Sequence, residues 1–317
     1  MLAILSGEAT TAQIAEFLSA LKHKGETGAE LSGFARAMRE KVTPVCPRLQ
    51  GEPLLDTCGT GGGGAVTFNI STIAAFVAAG AGALVAKHGN RSNSTPCGSA
   101  DLLEELGVNI AVTAEQMARA IEQVGIGFLF AQALHPAMKH AQPARAQLKT
   151  RTVFNLLGPL SNPAGARRQL IGAPTVGTAE LMAQALAGLD TDFAFVVHGA
   201  SGLDEVSTTG PTIVFEVQGA RVRGLEWTPE EFGVSRSSIE TLRGGSRREN
   251  RRIAEEVLGG VRGPARDIVL VNAAAALMAY GGSEDKREAM DRAAHSIDSG
   301  AALRKVEALK RAATSPP

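Results

Sequence analysis

The stretch LLDTCGTGGGGAVTFN, residues 54–69, continues through Ile70, Ser71 and Thr72 into an apolar run at residues 73–77. Two apolar residues lead into Asp56, and the glycines Gly59, Gly61, Gly62, Gly63 and Gly64 are interrupted only by Thr60. Glycine lets the backbone take positive φ and removes side chains that would hold an anion away. Successive backbone N–H groups can then turn inward around phosphate oxygens. Ser71 and Thr72 fall at the start of the next helix, where unsatisfied N–H groups and the positive dipole end favour an anion. The stretch therefore predicts a phosphate cradle between a strand and a helix. A P-loop would place Lys-Ser/Thr after its glycines, and a dinucleotide loop would want an acid at the end of the following strand. Neither is present: after apolar residues 83–86 come Lys87, His88, Gly89, Asn90 and Arg91.

Outward from this loop the texture repeats. Short apolar runs at residues 54–55, 84–86, 127–130, 193–197 and 268–271 alternate with helical patterns at 101–106, 114–123 and 180–189. Such alternation predicts an α/β fold with a mostly parallel central sheet covered by helices, in which ligands collect at the carboxyl ends of the strands. Four polar clusters fall there: the glycine loop, residues 87–99, residues 198–205 and the loop after Phe130. Upstream, Thr11 is placed to cap a helix carrying Ile14, Phe17, Leu18 and Leu21, and residues 29–42 repeat the spacing with Leu31, Phe34, Ala35 and Met38. Pro44 and Pro47 then break the chain. This front piece is too small for a core of its own, so it should pack on a later helical segment or a second subunit. The expected organisation is a helical part of a small domain at 1–50, the first part of an α/β phosphate-binding domain at 51–134, a helical segment returning to the small domain at 135–165, and the rest of the α/β domain at 166–317.

The chain has 317 residues, 44% hydrophobic and 20% charged, enough for one large or two unequal domains. Its 32 basic and 32 acidic residues cancel, which argues against a general attraction to nucleic acid or an anionic membrane. Cys46, Cys58 and Cys97 are odd in number and lack metal-like spacing, as expected for a reduced, cytoplasmic protein. No run approaches the roughly 18 apolar residues of a membrane span, and no basic stretch precedes an apolar one after Met1, so neither insertion nor export is expected. RGGSRRENRR, residues 243–252, holds five arginines, but Glu249, Glu255 and Glu256 make it a solvated helix. With one tyrosine and one tryptophan, there is no stacking platform for nucleic acid.

In KHGNRSNSTPCGSAD, residues 87–101, Lys87 and Arg91 can neutralise phosphate, while Asn90, Ser92, Ser94, Thr95 and Ser99 offer orienting contacts. Ser99 reads equally well as the N-cap of a helix at 100–106, and His88 as a satisfied strand-end histidine. HPAMKHAQPARAQLKTRTVFNLLGPLSNP, residues 135–163, carries Lys139, Arg145, Lys149, Arg151 and the turn Gly158-Pro159-Leu160. An arginine fork suits a carboxylate, though composition does not select which arginine points inward. Asp204 and Glu205 are adjacent acids in HGASGLDEVSTTG, residues 198–210. In a loop both can face one cation, and magnesium with diphosphate uses a few carboxylates, water and phosphate oxygens.

Five motifs occur together: DTCGTGGGGAVTFNIST at 56–72, KHGNRSNSTPCGSADLLEELG at 87–107, HPAMKHAQPARAQLKTRTVFNLLGPLSNPAG at 135–165, GLDEVSTTG at 202–210 and NAAAALMAYG at 272–281. In this combination the chain resembles the anthranilate phosphoribosyltransferases of tryptophan biosynthesis, which join anthranilate to phosphoribosyl diphosphate. Its glycine loop sets it apart from the related pyrimidine nucleoside phosphorylases. The resemblance implies a nucleoside phosphorylase/phosphoribosyltransferase-like fold and a homodimer built through the small helical domain. It also implies that Gly59, Thr60, Gly61, Gly62, Thr67, Asn69, Ile70, Ser71, Thr72 and Lys87 hold the donor, and that Ser71, Asp204 and Glu205 hold its Mg2+. Asn90, with the His88–Gly89 backbone, would lie where donor meets acceptor, Ser99 would be among the substrate-binding residues, Arg145 would engage the anthranilate carboxylate, and Gly158 would line the acceptor pocket. Lys87, Asn90 and Arg145 are the implied catalytic groups; because anthranilate's amine is neutral, positioning and electrostatics come ahead of a general base.

Two positions depart from the family pattern. Gly63 stands where aspartate is common, and Pro96-Cys97 where a basic residue followed by a small one is common. Aspartate at 63 should be tolerated structurally and should alter metal and donor dependence rather than acceptor choice. A non-catalytic member of the fold that binds phosphorylated ligands or nucleic acid is the alternative, and the presence of Arg145, Asp204 and Glu205 argues against it.

Overall fold

A computed structural model describes residues 1–64, 66–92, 95–281 and 285–313; Ser94, expected as a polar contact, lies outside them. The chain begins with helices α1 (Leu2–Leu5), α2 (Thr11–Lys24) and α3 (Gly28–Glu40). The cap of α2 is Thr10 rather than the expected Thr11, because Gln13 three residues on reaches back to it in a capping box; Thr27 and Glu30 do the same for α3. There follow β1 (Leu55–Gly59), α4 (Ile70–Gly80), β2 (Val85–Gly89), α5 (Ser99–Glu105), α6 (Ala114–Val124) and β3 (Ile126–Phe130). The returning segment holds α7 (Ala131–Leu134), α8 (Gln142–Leu148) and α9 (Phe154–Leu157). Next come β4 (Arg168–Gly172), α10 (Val176–Ala187), β5 (Phe193–Gly199), β6 (Thr212–Gln218) and β7 (Arg221–Trp227). Helices α11 (Arg247–Leu258), α12 (Pro264–Gly281), α13 (Lys286–Asp298) and α14 (Ala301–Ala312) close the chain.

The seven strands form one sheet in the order β3-β2-β1-β4-β5-β6-β7. The first five are parallel, and β6 and β7 add an antiparallel hairpin at the β5 edge. The mostly parallel α/β sheet expected from the sequence is therefore present. Residues 268–271, expected as a strand, instead lie inside α12. That helix is buried nearly all round, from Ile268 to Ala279, so it has no polar face to show a helical period. Strands β4, β6 and β7 were not among the expected runs.

Alternation along the strands divides the core. Leu55, Leu170, Phe193, Phe195 and Val197 point to one face, beneath α4, α5, α6 and α11–α14. Cys58, Ile171, Ala194 and Val196 point to the other, where they join α10 and the helices α1–α3, α8 and α9. Thus Leu18 and Leu31 find their apolar partners within the chain, with α2 against α8 and α3 against α10. Each such fully buried leucine contributes at most about 1.5–3 kcal/mol. Among the described residues no helix is long and apolar enough to cross a membrane.

Candidate active site

The carboxyl ends of β1 and β2 with the loops that follow them, the loop after β5 and the segment from α7 to α9 enclose a cavity of about 1080 Å³. Every residue implicated from the sequence lines it: Gly59, Thr60, Gly61, Gly62, Thr67, Asn69, Ile70, Ser71, Thr72, Lys87, His88, Gly89, Asn90, Ser99, Arg145, Gly158, Asp204 and Glu205. These come from five separate stretches of chain, gathered because parallel strands put their following loops at one edge of the sheet.

The glycine loop leaves β1 at Gly59. Of its five glycines, Gly61 and Gly62 take positive φ (63° and 85°), the conformation that requires them. Asn69 ties the loop to its neighbours: its amide donates to the Cys97 carbonyl at 3.0 Å and its Oδ1 accepts from Asn250 at 3.0 Å. Ser71 and Thr72 lie in the first turn of α4 as expected.

Beneath the loop is a buried polar network. Asp56, fully buried, accepts from the His88 backbone N–H at 3.0 Å and from Asn162 Nδ2 at 2.8 Å, and Asn162 Nδ2 also donates to the Ala86 carbonyl at 2.8 Å. The motif residue Asn162 therefore fastens the 158–165 turn to the β1–β2 strand ends, a role the sequence analysis did not give it. Lys87 is buried and its ammonium donates to the Thr57 carbonyl. Burial lowers its pKa, opposed by the nearby Asp56 and Glu205. Its charge is thus shared between the network and the cavity.

His88 is held at both ring nitrogens. Nδ1 lies 3.0 Å from the Gly158 carbonyl and Nε2 lies 3.1 Å from Nε2 of His135. A carbonyl only accepts, so His88 carries its proton on Nδ1 and receives a hydrogen bond from His135. Burial holds the two rings down, to about 3 for His88 and about 4 for His135, so both are neutral near pH 7. His135 belongs to the cluster expected after Phe130, but its pairing joins residues 47 apart and carries no sequence signal.

Two expectations in the second cluster change. Ser99 does not cap α5: Gly98 is the N-cap, with Asp101 accepting its N–H at 2.8 Å, and the Ser99 hydroxyl joins the Asn90 backbone at 3.1 Å. Arg91, offered as a phosphate cation, is paired with Asp101 at 2.9 Å and Glu104 at 2.5 Å.

Arg145, on α8, is half-buried, its guanidinium carbon 5.7 Å from the Phe154 ring centroid. Among the described residues it has no acid or carbonyl partner. Burial depresses its pKa, so an anion brought to it would be paired in a partly dry, aromatic-walled recess. In the same cavity, Asp204 and Glu205 follow β5. Burial raises both, pushing Glu205 to about 8, with the Asp204 charge adding to the effect and Lys87 opposing it. Neither carboxylate has a salt-bridge partner among the described residues. Two desolvated acids side by side fit a hard divalent cation, which would restore their ionised form. No third His, Cys, Asp or Glu joins them among the described residues, so remaining ligands would come from the donor, water and Ser71. Gly172 was missed by sequence reasoning: it ends β4 directly under the Asp204 backbone.

A helical part stacked on a mostly parallel sheet, with a glycine-lined anion loop facing a carboxylate pair, is the architecture of a phosphosugar-handling transferase. Models of the helical bundle domain and the a/b domain of a glycosyl transferase family match residues 1–42 and 51–303. The anthranilate phosphoribosyltransferase of Solibacter usitatus is 60% identical over 98% of this chain and 92% of its own length. The structure of that enzyme from Thermus thermophilus superposes with a TM-score of 0.93 at 42% identity, covering 99% of this chain and 93% of the other. The enzyme from Saccharomyces cerevisiae in complex with PRPP and Mg gives 0.89 at 31% identity, covering 96% and 86%. The chain belongs to the anthranilate phosphoribosyltransferase family.

Proposed function

We infer that this protein transfers the 5-phosphoribosyl group from phosphoribosyl diphosphate to anthranilate, giving N-(5-phosphoribosyl)anthranilate and diphosphate. The observation that carries the reading is Arg145, a half-buried guanidinium without an acid or carbonyl partner among the described residues, lining the same cavity as the glycine loop and the carboxylate pair. Arg145 takes the anthranilate carboxylate and Phe154 walls the ring. The neutral His88, braced by Gly158 and His135, shapes the acceptor side without competing for a proton. The glycine-loop N–H groups, the start of α4 and Lys87 hold the phosphates. The C1–oxygen bond to diphosphate breaks as the amine nitrogen bonds to C1, and the surplus amine proton is lost to solvent. Asp204 and Glu205, with Ser71, hold Mg2+. When bound, the metal offsets charge developing on the departing diphosphate. A mixture of protein, donor, Mg2+ and anthranilate should lose anthranilate fluorescence, and omitting either donor or metal should prevent it. Absence of any turnover at high protein concentration refutes the reading. The family resemblance also implies a homodimer through the helical part, for which a monomer in analytical ultracentrifugation is the contrary result.

Arg145→Ala should raise the anthranilate KM by roughly ten- to a hundredfold, since hydrogen bonds to charged groups contribute about 1.5–3 kcal/mol. The donor KM should move little; equal losses for both substrates would mean that Arg145 supports the fold instead. Gly63→Asp acts at the other end of the cavity. A Cβ at 63 would lie 3.0 Å from both Asp204 Oδ1 and the Gly202 carbonyl, so small shifts must accommodate it and the new charge lands beside the metal pair. Its Mg2+ titration should shift several-fold while the anthranilate KM stays put. A changed anthranilate curve alone would show that the loop serves the acceptor.

A further inference from the structure

Arg151 is placed with unusual constraint. It follows Lys149, which ends α8 with φ 49° and ψ 32°, a left-handed conformation uncommon for a residue bearing a Cβ. The next turn is braced: the Thr152 N–H donates to Asn155 Oδ1 at 2.9 Å, and the Asn155 N–H donates to the Thr152 carbonyl at 2.9 Å. From this turn the Arg151 side chain crosses to the glycine loop, where Nη2 donates to the Thr60 carbonyl at 3.0 Å. It lies so close over Gly62 that a Cβ there would come 2.0 Å from Nη1. Its charge also opposes the upward shift of Asp204. Of the five N–H donors of a guanidinium, one is used by protein among the described residues, and Arg151 lines the cavity.

We propose that Arg151 binds the leaving diphosphate through the free edge of its guanidinium and, by doing so, couples donor binding at the glycine loop to the order of the acceptor segment. The proposal rests on the function inferred above. The chemistry is that of an arginine fork on a phosphate oxyanion, added to the backbone N–H groups of Gly61 and Gly62. The coupling follows from chain connectivity. Arg145 precedes Arg151 on α8 and Gly158 follows it after α9, so one short segment carries the acceptor's carboxylate site, the loop contact and the acceptor wall. Anchoring the middle of that segment to the donor restrains both ends, and binding linkage makes the effect reciprocal.

Arg151→Ala and Arg151→Lys, compared with the parent protein, test this. Arg151 is exposed, so neither change should unfold the chain. Calorimetric titration with inorganic diphosphate and Mg2+ should show binding weakened roughly tenfold or more in Arg151→Ala and partly recovered in Arg151→Lys. In steady-state kinetics the donor KM should rise more than kcat falls. In the parent the anthranilate KM should fall on going from low to saturating donor, and this decrease should disappear in Arg151→Ala. A parent KM that does not fall would overturn the coupling. Diphosphate binding and donor KM at parental values would overturn the binding role. Weakened diphosphate with the donor-dependent change in anthranilate KM intact would overturn the coupling. Failure of the parent protein to turn over anthranilate would instead defeat the proposed function, and the diphosphate titration would still judge Arg151.

Discussion

Gly172→Ala is expected to lower turnover by roughly a hundredfold while leaving a folded protein. The Cβ it introduces would lie 1.7 Å from the Asp204 carbonyl oxygen and 2.6 Å from its carbonyl carbon. Both are backbone atoms, so no side chain can swing aside, and the loop bearing Asp204 and Glu205 must move by roughly an ångström or more. Displacements of about that size cost on the order of a hundredfold in rate where reacting groups are held by geometry. The same residue sits between Gly59 of β1 and Val197 of β5, and its carbonyl accepts the Thr60 N–H at 3.0 Å, so the glycine loop would feel the shift as well. Overpacking of this kind costs about 1–3 kcal/mol in stability. Gly224→Ala is the control, since a Cβ there meets nothing within 4 Å. Parental kcat and Mg2+ dependence in Gly172→Ala would show that the carboxylate pair does not need its close seat against the end of β4.

The site was more legible in the sequence than the fold around it, for a physical reason. Site residues in a parallel sheet sit in loops just past strand ends, so short contiguous motifs such as GTGGGG, KHGN and LDE announce them locally. Packing partners are not announced. Residues 268–271 read as a strand because a helix buried on every side loses its period. β4, with Arg168 at one end and Gly172 at the other, offered too short an apolar run. The hairpin β6–β7 closes an edge that the βα alternation gave no reason to expect, and most of β7 is exposed. Contacts between distant stretches were invisible for the same reason: Asp56 with Asn162, His88 with His135, and Gly172 beneath Asp204. Arg91 shows the opposite error. Its sequence company suggested phosphate, whereas Asp101 and Glu104, one and two turns along the helix that follows, claim its charge.

Glu205→Gln is expected to flatten the fall of stability with pH while losing the Mg2+ response and most of the turnover. In the folded chain burial, helped by Asp204, raises Glu205 from an ordinary 4.5 to about 8. Between those values the folded state holds a proton that the unfolded chain has released, so stability falls as pH rises through the window. His88 and His135 act oppositely. Held at about 3 and about 4, they are lower than the unfolded value of 6.5, so their contribution to stability is complete above that pH and lost on acidification. At 6.5 the unfolded histidines are still half protonated and offset the acid's slope, whereas from about 7.5 to about 8.5 they are neutral in both states and the acid pair is isolated. Thermal midpoints measured there in EDTA should decline with pH for the parent protein and decline less for Glu205→Gln, which has no charge to bury. Mg2+ should raise the parent midpoint more at pH 8 than at 6.5, because the metal favours the ionised carboxylate and releases its proton. The variant should lose most of this gain and, with it, at least about a hundredfold in turnover, since a metal's charge stabilisation is worth several kcal/mol. A parent midpoint that is flat or rising from about pH 7.5 to about 8.5 in EDTA would remove the raised pKa. An unchanged Mg2+ curve in the variant would remove Glu205 from the metal site.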